Sequence, residues 1–347
     1  MGKDVIVYLK SLGYVRHLPS AFDVKRVYPF LSAVGATVAD DFETENLPYV
    51  EHIATGGRVF ALAAKTRNMR DFRPKTAGRN LTGKGVGLCV IDTGISAHPD
   101  FCIPRNRIVA FKDVYGGKEE VYDDNGHGTF VAGVAAGGGV ASGKEVSGVA
   151  SEADIVAVKA IGKSGECGLF SVLDAMQWVV DNKDRHGIKV VCMSFGANPV
   201  DYADPLERGA DVLIKNGLTV VASAGNSGQG GVKSPGTGKK VLTVGSVDDN
   251  NIVAGFSSYG EVGGKFKPEI YAPGVEIKGV GRANNLYVRM SGTSVSAPYV
   301  AGAAALLYEK YPAATPWQIK KLLLSFSDEF GGVRVLNASK ITESIIK

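Results

Sequence analysis

The chain is 347 residues long, 45% hydrophobic and 21% charged, enough to bury one large core and a smaller second one. Its net charge of +4 is small for that length and is not gathered into runs, which argues against nucleic acid or a membrane surface as a partner. No apolar stretch reaches the roughly 18 residues of a membrane span, and the four cysteines include no CxxC pair, so buried free thiols are expected at Cys89 and Cys192 in place of a disulfide framework.

The N-terminus lacks the basic-then-apolar pattern of a signal peptide. As it begins, the chain is expected to be cytoplasmic or exported by a non-classical route, and secreted if a leader has been removed. Residues 5–9 alternate like a strand, residues 27–38 read as a helix interrupted at Gly35, and residues 49–53 and 58–62 read as short strands. The stretch 65–82, rich in Arg, Lys, Asn and Pro, reads as a linker.

After residue 83 the rhythm changes. Residues 86–91 form a continuous apolar run, typical of a strand buried on both faces. A small-residue helix opens at His127. Further strands are expected over 155–161, 189–195, 218–222 and 240–247. Helices are expected over 171–183, with Val172, Met176, Val179 and Val180 inward, and over 205–216, stopped by Gly217. Two more follow at 294–308 and at about 316–325, the latter capped by Thr315 with Pro316 in the first position. Strands alternating with helices predict an α/β fold with a mostly parallel sheet and helices on both faces. In such sheets active sites gather at the carboxyl ends of strands, and Asp92 directly follows the run 86–91.

Three segments far apart carry chemistry: Val90-Ile91-Asp92-Thr93-Gly94, Asn125-Gly126-His127-Gly128-Thr129 and Ser291-Gly292-Thr293-Ser294-Val295-Ser296-Ala297-Pro298. A hydroxyl is a poor nucleophile near neutral pH. Acyl transfer from serine therefore needs an imidazole to take its proton and a carboxylate to hold that imidazole in the right tautomer. The chain order Asp, His, Ser is the subtilisin order. On these segments the chain resembles the subtilase family of serine endopeptidases from about Gly83 to the helix after Pro312, roughly two-thirds of its length.

The resemblance implies a subtilisin-like three-layer catalytic domain over residues 83–347, a small α+β propeptide domain over 1–62, and a linker with the mature N-terminal segment over 63–82. It implies Ser294 as nucleophile, His127 as general base and then acid, and Asp92 as the orienting carboxylate. Asn226, in Ala224-Gly225-Asn226-Ser227, matches the family's oxyanion donor, with the Ser294 backbone N–H as its partner. Polypeptide substrate is expected as an extended strand between Ser194-Phe195-Gly196 and Gly165-Glu166-Cys167, because main-chain pairing makes little demand on sequence. Ser223, Ala224 and Gly225 are expected to wall the primary pocket, whose size suits a medium or large P1 side chain. Lys233 is expected at its floor, its ammonium favouring acidic or polar P1 residues. The run Leu47-Pro48-Tyr49-Val50-Glu51-His52-Ile53 resembles the end of family propeptides, so residues 1–62 are expected to act as an intramolecular inhibitor cut by the enzyme near residues 60–65. An accessory domain with no inhibitory role is the alternative there.

The departures are as informative. The family often has a second histidine where this chain has Phe130, and His98 matches only a structural turn. The loop 137–144 replaces the asparagine-bearing loop that binds calcium in secreted subtilisins. It offers no carboxylate and carries Lys144, which leaves Asp100 as a lone candidate ligand, poor material for a cation wanting about six to eight oxygens. No cofactor is expected to be required, with calcium open only at a weak structural site. GxxxxGK occurs at 78–84 and 138–144, but Gly85 and Glu145 follow where a nucleotide loop needs Ser or Thr. The rival to an active endopeptidase is a catalytically silent binding or regulatory module on the same fold; an esterase or peptide ligase would use the same acyl-enzyme.

Overall fold

The computed structural model of the protein describes residues 2–42, 47–62, 64–65, 81–200, 203–282 and 287–343. Most of the expected linker lies outside the described residues. Five strands open the chain: β1 (Gly2–Leu9), β2 (Asp23–Tyr28), β3 (Ala33–Ala39), β4 (Val50–Thr55) and β5 (Arg58–Ala61). The first four form an antiparallel sheet in the order β2-β3-β1-β4.

The helix expected over residues 27–38 is not there. Val27 and Tyr28 end β2, Pro29–Leu31 is a 3-10 turn, and β3 takes the rest. The sheet is buried on both faces at its central strands β1 and β3: Val34, Ala36 and Val38 share a small core with Val5, Val7 and Leu9, while Ala33 joins Ile6, Tyr8 and Tyr28 against the larger domain. Apolar residues in both registers hide the period of two that would have revealed a strand. Among its described residues this unit holds strands and two 3-10 turns, so the α part of the expected α+β fold is not seen.

After β6 (Ala64–Lys65) the larger domain runs β7 (Gly87–Asp92), α1 (Pro99–Cys102), β8 (Ile108–Asp113), α2 (His127–Ala136), β9 (Asp154–Lys159), β10 (Glu166–Gly168), α3 (Leu169–Asn182), β11 (Ile188–Met193), β12 (Phe195–Gly196), α4 (Pro205–Lys215), β13 (Thr219–Ser223) and β14 (Leu242–Val247). It continues through β15 (Gly260–Val262), β16 (Lys265–Lys267), β17 (Ile270–Pro273), β18 (Ile277–Val280), β19 (Tyr287–Ser291), α5 (Thr293–Lys310), α6 (Pro316–Ser325), β20 (Ser327–Phe330), β21 (Val333–Leu336) and α7 (Ala338–Glu343). Nine strands make one sheet in the order β20-β21-β17-β14-β13-β11-β7-β9-β8, parallel except for β20.

Alternate residues of one strand feed two cores. Leu88 and Val90 of β7 pack on the side of α2 and α5, whereas Cys89 and Ile91 pack on the side of α3 and α4. That is why residues 86–91 read as a continuous apolar run. Cys89 and Cys192 are buried free thiols, as expected. The first four strands dock on α3 and α4: the Tyr28 hydroxyl donates to the Phe170 carbonyl (3.3 Å), the Phe30 N–H donates to Gln177 Oε1 (3.1 Å), and Arg26 pairs with Asp174 (3.1 Å). The Arg208 guanidinium lies over the Tyr8 ring, 4.2 Å from its centroid.

Candidate active site

Asp92 is the last residue of β7, His127 the first of α2, and Ser294 the second of α5. Helix packing brings the two helix starts to the carboxyl end of the sheet. Gly128 permits the approach on the histidine side: a Cβ there would lie 2.2 Å from the Gly94 carbonyl oxygen and 3.1 Å from Asp92 Cβ. All three side chains are nearly dry, at 1% exposure for Asp92, 4% for His127 and none for Ser294.

His127 Nδ1 is 2.7 Å from Asp92 Oδ1, and His127 Nε2 is 3.1 Å from Ser294 Oγ. A carboxylate oxygen accepts, so Nδ1 carries the proton and Nε2 is left to accept from the serine hydroxyl. Burial of the ring works against its charged form. The Asp92 carboxylate, by charge and hydrogen bond, and Asp123 more weakly outweigh that and raise the His127 pKa above the ordinary histidine value.

Asn226 follows β13 and faces the start of α5. Its Oδ1 accepts from the Thr293 N–H (2.9 Å) and the Thr293 hydroxyl (2.9 Å), which turns Nδ2 outward to donate to the carbonyl of Leu62. Thr293 also receives the Gly225 N–H at 3.0 Å. Sequence reading missed Thr293, although it lies inside the serine segment; a threonine between a helix-starting glycine and the nucleophile is the signal.

β5 lies between β10 and β12 as the middle strand of a three-stranded antiparallel sheet. Phe60 is opposite Glu166, Val59 opposite Cys167 and Ala61 opposite Phe195. The Ala61 N–H donates to the Gly165 carbonyl (2.9 Å) and the Leu62 N–H to the Ser194 carbonyl (3.4 Å). Both edges expected to hold substrate are thus occupied by the chain's own residues 58–62. Val59 is fully buried, in one apolar cluster with Cys167, Leu169 and Phe195, while the Phe60 side chain is exposed and Arg58 pairs with Glu166 at 3.0 Å.

Leu62 points toward Gly196, where an added Cβ would meet Leu62 Cδ1 at 3.1 Å and Lys233 Cβ at 2.6 Å. Beside that pocket lie Ser223, whose hydroxyl donates to the Phe195 carbonyl (3.3 Å), and Ala224, whose carbonyl accepts the Lys233 N–H (2.8 Å). Gly225 also abuts Lys233, through its Cγ. The expected ammonium on the pocket floor needs correcting: Lys233 presents its aliphatic stem there, and its Nζ donates outward to Asn198 Oδ1 at 2.7 Å. Long cationic side chains commonly bury the stem and hydrate the head.

The loop 137–144 does not fit the calcium that the resemblance implies for its counterpart. Asp100 accepts the Ala141 N–H (2.8 Å) and the Tyr287 hydroxyl (2.9 Å), and Lys144 Nζ donates to the Gly138 carbonyl at 2.7 Å. An ammonium already occupies a carbonyl that a hard cation would need. Among the described residues no group of three or more His, Cys, Asp or Glu side chains is placed to hold a metal ion. His98 is a buried cap whose Nδ1 accepts the Asp100 N–H (3.1 Å), and Phe130 is buried under Gly279. No helix among the described residues is long and apolar enough to cross a membrane.

Residues 83–338 match the subtilase family of peptidases. The serine protease AprX of Bacillus subtilis (strain 168) is 39% identical, the match covering 73% of this chain and 63% of that protein. Subtilisin Savinase of Lederbergia lenta is 35% identical, over 77% of this chain and 93% of its own length. Among solved structures, that of a cold adapted subtilisin-like serine proteinase superposes with a TM-score of 0.67 at 30% identity, covering 79% of this chain and 95% of that one.

Proposed function

Since the chain belongs to the subtilase family, we propose that it is a serine endopeptidase that cleaves polypeptides through an acyl-enzyme and is made as a self-processed precursor. Ser294 Oγ attacks the scissile carbonyl while His127 Nε2 takes its proton. Asp92, bonded to Nδ1, holds the ring and stabilises the imidazolium. Negative charge growing on the carbonyl oxygen meets Asn226 Nδ2 and the Ser294 N–H, which at the second position of α5 has no intrahelical acceptor. His127 then returns the proton to the leaving amine, and water repeats the sequence on the ester.

The observation that carries this reading is the Leu62 carbonyl on Asn226 Nδ2, with β5 aligned between β10 and β12. It supports residues 1–62 as a propeptide that inhibits by lying in the cleft, with cleavage after Leu62 and the catalytic domain over 83–347. It also supports a substrate preference for a medium apolar P1 residue such as Leu and a buried apolar P4 residue such as Val. Family membership supports an enzyme that needs no cofactor for chemistry.

A fluorophosphonate probe tests the proposal. The wild type should label and Ser294→Ala should not. On a gel the wild type should run as two fragments of about 62 and 285 residues, whereas Ser294→Ala stays whole. A wild type that neither labels nor splits would leave the silent binding module.

A further inference from the structure

Asp123 lies four residues before His127 in the loop that leads into α2 and is nearly buried, at 7% exposure. Its Oδ1 accepts the Thr93 hydroxyl (3.0 Å), the Asn125 N–H (3.0 Å) and the Gly126 N–H (2.7 Å); its Oδ2 accepts the Thr129 N–H (2.9 Å) and the Thr129 hydroxyl (2.7 Å). The helix needs this. Gly126, at its N-cap, has no side chain to satisfy the first amides, so Asp123 serves as a remote cap on the third residue of α2.

The same carboxylate reaches across to β7. Thr93 follows Asp92, donates its N–H to Asp92 Oδ1 (2.7 Å) and its hydroxyl to Asp123, and accepts the Gly128 N–H on that hydroxyl at 2.8 Å. One buried group therefore fixes the backbone on both sides of the Asp92–His127 hydrogen bond. We propose that Asp123 is a positioning residue, whose carboxylate locks the start of α2 to the end of β7 and so sets the His127 ring between Asp92 and Ser294. The proposal rests on the endopeptidase reading and adds to it a residue that touches neither substrate nor the reacting atoms.

Asp123 also bears a charge near the ring. Among the described residues, the other charged or titratable groups around this corner include Asp92 on β7, Asp113 on β8, Cys167 on β10, Cys192 on β11, Tyr122 and Asp124 in the same loop, and Lys118 over the Tyr122 ring (4.8 Å). Lys159 on β9 is bound to Asp124 (2.7 Å) and to the carbonyls of Thr93 and Ile161, and Arg282 donates to the Asp124 carbonyl at 2.7 Å. Only Asp92 and Asp123 support the charged imidazole against burial. Without Asp123, the His127 pKa should fall.

The test is Asp123→Asn, which keeps the shape and removes the charge and half of the acceptors. Activity is referred to sites titrated with the fluorophosphonate, so that misfolded protein does not count. We expect kcat to fall by about 10- to 100-fold with KM for a Leu P1 peptide within about 2-fold, as for an interaction used mainly in the transition state. Self-cleavage, being unimolecular, should slow by a similar factor, and the acid limb of kcat/KM should move to lower pH. Thr129→Val removes one hydroxyl leg, together with the acceptor of the Ser96 N–H (3.0 Å), and keeps the charge; kcat should fall by about 3- to 10-fold with the acid limb unmoved, and Ser96→Ala, which spares Asp123, should leave kcat within about 2-fold. A titratable Asp123→Asn with wild-type kcat or an unmoved limb overturns the proposal. If Asp123→Asn gives no titratable protein, Thr129→Val with unchanged kcat overturns it instead. Failure of the wild type itself to label would defeat the endopeptidase reading, and is thereby distinguished from failure of the Asp123 proposal.

Discussion

At the scale of single residues, Asp92, His127 and Ser294 form one hydrogen-bonded line in a dry site, and groups that act in series do not contribute additively. Alanine at Ser294 or at His127 should each remove nearly all activity, and the double variant should lose little more; a rate assay showing multiplied losses would break the assignment. The raised His127 pKa sets the direction of the pH dependence. The base must be neutral to take a proton, so kcat/KM should fall as pH drops through a value above the ordinary 6.5 or so, and a pH profile checks this. Lys233 bears on specificity through bulk and not charge. Lys233→Gly should deepen the pocket beside Leu62 and raise the ratio of Phe to Leu P1 cleavage severalfold, the gain expected from about 1–2 kcal/mol of added apolar burial. A peptide pair differing only at P1 measures it.

At the scale of elements, β5 is the informative one. Read from sequence as a short strand over 58–62, it lies between β10 and β12 with Val59 fully buried opposite Cys167. Val59→Asp would place an unpaired carboxylate in that apolar cluster at a cost of at least about 2 kcal/mol, which predicts self-cleavage slowed by about 30-fold or more. The uncut fraction on a time-course gel reads it; processing at the wild-type rate would show that docking of β5 does not govern cutting. β3 teaches the opposite lesson about legibility. Its alternation was invisible because the larger domain covers the sheet's second face, a tertiary fact that no local pattern carries. By contrast α6 was readable to its cap, because Thr315 followed by Pro316 is a local signal, to which the structure adds a capping box with Gln318.

On the scale of the whole molecule, cations brace the chain at two ranges, Lys144 within its own loop and buried Lys267 between segments. Lys144 holds the loop 137–144, and chelation with EDTA should therefore shift the melting temperature by only a few degrees; a loss of more than about ten would reveal an important ion. Buried Lys267, its pKa brought down to about 8 by burial despite Glu269, donates to the carbonyls of Gly238 and Val241, to Thr243 and to Glu269, which also pairs with Lys320 of α6. Lys267→Met strips the Gly238 carbonyl and the Thr243 hydroxyl of their donor, while Lys320 still reaches Glu269 and the Val241 carbonyl, and should cost about 3 kcal/mol, or roughly 6–12 °C in melting temperature for a domain of this size. Calorimetry in a Ser294→Ala background, free of autolysis, would measure it.

By itself the sequence determined the α/β class, five strands of the nine-stranded sheet (β7, β9, β11, β13 and β14) and helices α2 to α6, because apolar period is a local property of the chain, and its family resemblance picked out which Asp, His, Ser and Asn to expect together. Which face of the N-terminal sheet is covered, where the Lys233 charge goes, how Thr293 turns Asn226, how Asp123 joins α2 to β7, and that the Leu62 carbonyl meets Asn226 were decided only by tertiary structure. Each of these is a pairing across 30 or more residues, and the partner in such a pair is chosen by packing geometry that neither participant's neighbours in sequence encode.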